Sequence, residues 1–134
     1  MPFIRTLVHD DTPLHQRQGI VAGIHRALVE SIGMPEDELF NYVETYTPET
    51  FFFSHSFNGI RRSDRLVVVE ITLRRGRSDA MKRDLYARTA AHLAAVGVDA
   101  RDVFIFMHEN DYSDWSVGNG RFAMELVQQR GADA

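Results

Sequence analysis

The sequence predicts an α+β domain: two fused βαβ units forming one sheet, with two helices on one face. Three observations predict it. The hydrophobic pattern reads strand, helix, strand, and then strand, helix, strand again. The halves overlay with a shift of about 64 residues, which puts Gly33 on Gly97 and Phe40-Asn41-Tyr42-Val43 on Phe104-Ile105-Phe106-Met107. Residue identity across the overlay is low, so an ordinary α+β domain with coincidental spacing stands as the alternative. At 134 residues, 44% hydrophobic and 25% charged, the chain suits one globular domain with a real core. The expected organisation is a single domain over 1–134. It comprises βαβ halves at 2–48 and 65–109, a connecting segment at 49–64, and a turn-rich segment at 110–134.

Phe3 to His9 (FIRTLVH) has the β-branched and aromatic content of a short strand. Thr12 is a candidate N-cap, with Pro13 at the first helical position, where its missing N–H costs nothing. Leu14, Val21, Ile24, Leu28 and Ile32 then recur at helical spacing, up to Gly33 with Pro35 beyond. Asn41 to Tyr46 is the second strand. Phe51-Phe52-Phe53 is too apolar for a solvated loop and reads as a short strand, a wall of a pocket or subunit interface, or core filling. Asn58-Gly59 marks a turn. Arg65 to Arg74 (RLVVVEITLR) is the clearest strand, with the run of a buried sheet centre. Ser78 caps a second helix, with Asp79 in its first turn, a stripe of Met81, Leu85, Thr89, Leu93 and Val96, and Gly97 closing it. Val103 to Glu109 is the fourth strand. The tail after Val127 is expected to be loose.

Composition removes several classes of function. Without cysteine there are no disulfides, thiol nucleophiles or cysteine-ligated zinc. The six histidines show no ligand spacing, so no metal is expected; a His108-Glu109-Asn110-Asp111 ligand cluster is weaker than the strand end it also spells. The net charge of −4 argues against nucleic acid as a partner. No apolar run reaches the roughly 18 residues of a membrane span, and no signal peptide is legible, so a cytoplasmic protein is expected.

The chemistry turns on Pro2. A proline in second position normally loses its initiator methionine, leaving a free prolyl amine at the start of an apolar strand. A secondary amine is a good proton base and a good nucleophile toward carbonyls. Many ordinary proteins also begin Met-Pro, so the reading needs partners. If the first strands of the two units meet antiparallel, the start at Phe3 lies beside the end at Leu73. Pro2 then comes close to Arg74, Arg75 and Arg77. Two guanidiniums there suit a substrate carboxylate and favour the neutral amine. The plain alternative is a solvated basic turn. A carboxyl partner is expected from Pro35-Glu36-Asp37-Glu38, with Glu38 nearest the next strand. A carboxylate beside the amine keeps it protonated, so whether Pro2 acts as base or acid stays open.

These residues resemble the tautomerase superfamily, in its malonate semialdehyde decarboxylase-like branch, over roughly residues 2 to 127. Glu109-Asn110 followed by Asp114-Trp115-Ser116-Val117-Gly118-Asn119-Gly120-Arg121 is similar to the family's E-N-x(n)-D-W-S-F-G-x-G-R. Arg75-Gly76-Arg77-Ser78 is similar to its R-P-R-[ST], and Gly33-Met34-Pro35 leading to Phe40 is a third match. The resemblance implies the tautomerase-type β-α-β fold. It implies Pro2 as the catalytic proline, Arg75 and Arg77 as carboxylate-binding arginines, and Glu38 where the decarboxylase carries an assisting aspartate. It puts Trp115 and Val117 where an aromatic pair lines the pocket. It also implies a homotrimer with no metal or organic cofactor, acting on a small oxo acid. The departures are Glu38 for aspartate, Leu39 for an arginine, Val117 for a phenylalanine and Gly76 for a proline.

Four readings follow. The first is keto–enol tautomerisation of a small oxo acid by neutral Pro2. The second is decarboxylation of a 3-oxo acid or hydration of an unsaturated acid through protonated Pro2. The third is a non-enzymatic trimer whose pocket binds a ligand or partner. The fourth is a ferredoxin-like dimer, against which the charge and the lack of aromatic RNA-binding motifs weigh.

Overall fold

The computed structural model describes residues 2–127. The expected loose tail after Val127 and the fate of Met1 fall outside them. The elements are β1 (Phe3–His9), α1 (Leu14–Ile32), β2 (Asn41–Tyr46), β3 (Val67–Arg74), α2 (Asp79–Ala94) and β4 (Val103–Asn110). They form one sheet in the order β2-β1-β3-β4. β1 and β2 run parallel, as do β3 and β4, and the two pairs meet where β1 and β3 run antiparallel. This is the pair of fused βαβ units that the sequence predicts.

The period of two along the strands decides which face is covered. Val67, Val69, Ile71 and Leu73 of β3 are buried, as are Ile4 and Val8 of β1. They meet Ile20, Ile24, Leu28, Leu85 and Leu93 from the two helices in one core. The helices approach closely because α1 carries glycines on its α2 side. A Cβ at Gly19 would lie 3.0 Å from Val96 Cγ1, and one at Gly23 3.1 Å from His92 Cβ. The opposite sheet face keeps Phe3, Tyr42, Phe104 and Phe106 partly in solvent.

Several details depart from the sequence reading. The N-cap of α1 is Pro13, in an extended conformation, and no side chain caps the helix. The Thr12 hydroxyl faces Arg65 instead, and its carbonyl accepts from Arg17 Nε at 2.7 Å. Leu14 is 69% exposed and lies off the core. The buried stripe runs through Ile20, Ile24, Ala27 and Leu28, one step around the helix from the predicted one. β3 begins at Val67 rather than Arg65, and β4 continues to Asn110. α2 is capped by the Ser78 side chain, as expected, with Asp79 in its first turn. Gly97, at a φ of 91°, completes its exit while Val98 N–H reaches back to the Leu93 carbonyl.

The phenylalanine run is neither strand nor core. Phe51 and Phe53 are half-buried against Tyr46 at centroid distances of 4.9 and 6.5 Å, and Phe52 points outward at 86% exposure. Tyr46 anchors this corner. It is buried, and its hydroxyl donates to the Leu66 carbonyl at 2.6 Å. Burial pushes its pKa up from 10.0 to about 12. Below pH 10 the folded and unfolded states both hold this proton. Between about 10 and 12 only the folded state does, so stability falls across that window as pH rises. Urea midpoints measured from pH 7 to 11 should show this loss in the wild type. Tyr46→Phe should cost about 1 kcal/mol at pH 7, by leaving the Leu66 carbonyl unpaired, and should flatten the alkaline slope.

Candidate active site

The strand directions bring four chain segments to one end of the sheet. They are the starts of β1 and β2 and the ends of β3 and β4. Phe3 pairs with Thr72, so Pro2 stands opposite Leu73, next to the Arg74 end of β3. Ile4 N–H donates to the Phe40 carbonyl at 2.9 Å, which draws the 38–40 stretch to the start of β1. Arg74 pairs with Asn110 across β3 and β4. Pro2 itself is buried, at the first position before an apolar strand.

The arginines differ in their surroundings. Arg77 is half-buried and donates from Nη1 to the Arg74 carbonyl at 2.9 Å. Burial, and then the charge of Arg74, hold its pKa below the usual arginine value, while Tyr112, Glu38 and Glu109 pull the other way. The Glu38 carboxylate is therefore within electrostatic reach of Arg77, and Glu38 is itself half-buried. Its backbone N–H closes a turn onto the Pro35 carbonyl at 3.1 Å. Arg75 is exposed and donates from Nε to Asp111 Oδ1 at 2.8 Å, and that carboxylate raises its pKa. The Arg74 guanidinium lies 4.9 Å from the centre of the Tyr112 ring.

The turn-rich segment is fastened to the same end. Trp115 Nε1 donates to Asn110 Oδ1 at 2.7 Å, so the strand's last residue holds the indole. Asp111 and Asp114 form a reciprocal capping box around the short turn Tyr112–Asp114. Glu109 takes Lys82 Nζ at 2.9 Å, and Lys82 holds the Glu109 carboxyl below its usual range. Hydrogen bonds and ring contacts thus join Arg74, Arg75, Arg77, Asn110, Asp111, Tyr112 and Trp115. Val117 stands outside that cluster at 53% exposure. Gly118, Asn119 and Gly120 after it all have positive φ, which explains the glycines of that motif.

Sequence reasoning missed Asp111 as the partner of Arg75. Parallel register was the available signal: Arg74 opposite Asn110 puts the next residues side by side. His108 goes to Glu70 Oε1 at 2.9 Å rather than to a ligand cluster. Among the described residues no group of three or more histidine or acidic side chains gathers around a common point. Phe51 and Phe53 pack at the far end of β2, so within one chain they line nothing near Pro2.

The arrangement suits a small anionic substrate. Freed of Met1, Pro2 would present a buried secondary amine beside cations able to hold a carboxylate and a carboxyl able to tune the amine.

Known proteins similar to this chain point to one family. A family model described as "Tautomerase enzyme" matches residues 38–118. The Probable tautomerase YusQ of Bacillus subtilis (strain 168) is 32% identical over 125 residues, covering 92% of this chain and 98% of that protein. The structure of FG41 malonate semialdehyde decarboxylase inhibited by 3-bromopropiolate superposes with a TM-score of 0.88 at 30% identity, covering 95% and 96% of the two chains. A fused 4-OT symmetric trimer superposes with a TM-score of 0.78 at 19% identity, covering 92% and 98%, and shares the fold.

Proposed function

This chain belongs to the tautomerase enzyme family, and from that premise we propose that it tautomerises a small oxo acid with Pro2 as the proton carrier. Membership makes it an enzyme of tautomerase or decarboxylase type, which sets aside the non-enzymatic and ferredoxin-like readings. The observation that carries the finer reading is the meeting of Pro2 with the end of β3, where Arg74, Arg75 and Arg77 follow.

In this mechanism Arg77 and Arg75 bind the substrate carboxylate. The neutral prolyl nitrogen removes a proton from the carbon alpha to the ketone, giving an enol or enolate, and returns that proton on the reverse path. The nearby guanidiniums favour the neutral amine by repelling its charged form. Trp115 covers one side of the substrate and Val117 leaves the other more open. Glu38 opposes the arginines and sets how much of the amine is protonated.

The likeness to FG41 malonate semialdehyde decarboxylase supports a second reading. There protonated Pro2 polarises a 3-oxo acid, the bond to the carboxylate carbon breaks, carbon dioxide leaves, and the resulting enolate takes the proton. Hydration of an unsaturated acid is a neighbouring outcome.

We also propose a homotrimer. The partly exposed Phe3, Tyr42, Phe104 and Phe106 on the helix-free sheet face support burial against other copies. Sedimentation giving the mass of a single chain would remove this proposal.

One preparation tests the reaction. Its intact mass should be short by the initiator methionine, freeing the prolyl amine. The protein is then given enolised phenylpyruvate, followed by loss of enol absorbance, and separately a 3-oxo acid, followed by carbon dioxide release. Ketonisation is the expected result. Decarboxylation alone supports the second reading, and no turnover of either by the processed protein rejects both.

A further inference from the structure

The loop after α1 carries Glu38 toward the start of β1, and α1 itself holds that loop. We propose that His25 is a positioning residue. By fixing the Glu36 carbonyl it sets where the Glu38 carboxylate stands, and so the pH range in which Pro2 works. The inference rests on the reading of Pro2 and Glu38 above.

The loop is fixed at both ends. Gly33 ends α1 in a left-handed conformation, and Met34 beside it is buried. At the far end the Phe40 carbonyl takes the Ile4 N–H at 2.9 Å. Between these points the chain turns tightly, with the Glu38 N–H on the Pro35 carbonyl at 3.1 Å. A turn of that kind can still rotate as a unit about its ends, and a tie at its middle removes that freedom.

The tie is at Glu36. His25 Nε2 lies 2.9 Å from the Glu36 carbonyl oxygen. A carbonyl only accepts, so Nε2 carries a proton and donates. The other ring nitrogen, Nδ1, is buried and has no hydrogen-bond partner among the described residues. The polar contact of this imidazole is therefore the loop. The Glu36 side chain adds little. Its carboxylate meets Arg26 Nη1 at 3.4 Å with the two side chains 76% and 55% exposed, a setting in which ion pairs contribute weakly. Arg17, Arg26 and Glu36 are the charged groups that share the groove beside α1 with His25, and Leu39 and Val43 form part of its apolar wall.

On its other side Glu38 acts on Arg77, as do Glu109 of β4 and Tyr112 beyond it. Arg74 follows Leu73, which stands opposite Pro2. The cations favour the neutral amine and the Glu38 carboxylate favours the protonated one. A displacement of that carboxylate by about 1 Å would change the balance without touching a reacting atom.

The test is kcat/KM against pH on the acid that the processed protein turns over, enolised phenylpyruvate or the 3-oxo acid, with the thermal midpoint measured beside it. Glu38→Gln should move the limb set by the prolyl amine about one pH unit lower, because the carboxylate that favours the protonated amine is gone. His25→Phe keeps a ring and loses the donor. It should move the same limb the same way, by about half a pH unit. His25→Asn, whose amide stops short of the carbonyl, should do likewise and serves where His25→Phe does not fold. His25→Gln places an amide N–H close to where Nε2 stands and should restore the wild-type limb. It also removes the imidazole's own titration, so a wild-type limb there excludes His25 as the source. The double variant Glu38→Gln/His25→Phe should titrate as Glu38→Gln alone.

A shift in the double variant that adds to that of Glu38→Gln, or His25→Gln behaving as His25→Phe, overturns the proposal. If Glu38→Gln moves the limb while His25→Phe and His25→Asn change only the midpoint, His25 alone is set aside and the tuning carboxylate stands. If Glu38→Gln leaves the limb in place, the tuning carboxylate fails and the role of His25 fails with it.

Discussion

Replacing Pro2 with alanine is expected to lower kcat/KM on an enolised 2-oxo acid by about 10²–10⁴-fold, the range a positioned proton carrier contributes. Alanine in second position also permits methionine removal, so the variant keeps an amino-terminal nitrogen. What it loses is the secondary amine and the ring that fixes its direction. The residual rate should therefore exceed the uncatalysed one, with a pH profile shifted to follow a primary amine. Because Pro2 is buried, the thermal midpoint must be measured beside the rate. A variant that melts like the wild type and turns over at the wild-type rate removes Pro2 from the mechanism.

Leu28→Ala is expected to destabilise the fold by about 2–5 kcal/mol, the range for removing a buried leucine from a packed core. Leu28 is fully buried where α1 meets the sheet. Leu14→Ala, on the same helix, should stay within about 0.5 kcal/mol, because that side chain is mostly in solvent. Urea unfolding of the two variants tests which face of α1 is inside. Equal losses would mean that the core runs through Leu14 as well.

That comparison marks a limit of what the residues alone disclose. Period and punctuation were enough for β1, β2 and α2, because β-branched runs, Ser78 and the glycines after each helix act locally. The face of α1 was not legible to better than one step. Its first turn carries an apolar Leu14 that the sheet does not reach, while Gly19 and Gly23 hide the side that α2 covers. A stripe counted from side chains cannot see a contact made by their absence. Likewise Thr12 looks like a cap until Arg65, far along the chain, takes its hydroxyl. The arginine turn and the Glu38 loop were legible as candidates because antiparallel meeting of the halves puts them at one end. Asp111 was not, since its role depends on strand register and on a capping box with Asp114. The packing of Phe51 and Phe53 was left open for the same kind of reason: their partner is Tyr46, which sequence pattern counts only as a strand residue.

The antiparallel meeting of β1 and β3 has a further consequence. It gives the sheet two corresponding ends, and the shift that overlays the halves finds the counterpart of each residue discussed above. Leu66 answers to Pro2, Asp102 to Glu38, and Asp11 and Pro13 to Arg75 and Arg77. Leu66 sits in mid-chain, so its nitrogen is a peptide amide with no lone pair to lend. Its neighbours are fastenings. Asp102 is buried and accepts from the Ser63 N–H at 2.8 Å and hydroxyl at 2.6 Å, and Asp11 pairs with Arg65. If Pro2 is the proton carrier proposed above, only one of the two corresponding ends can hold such a group, and the other serves as joinery.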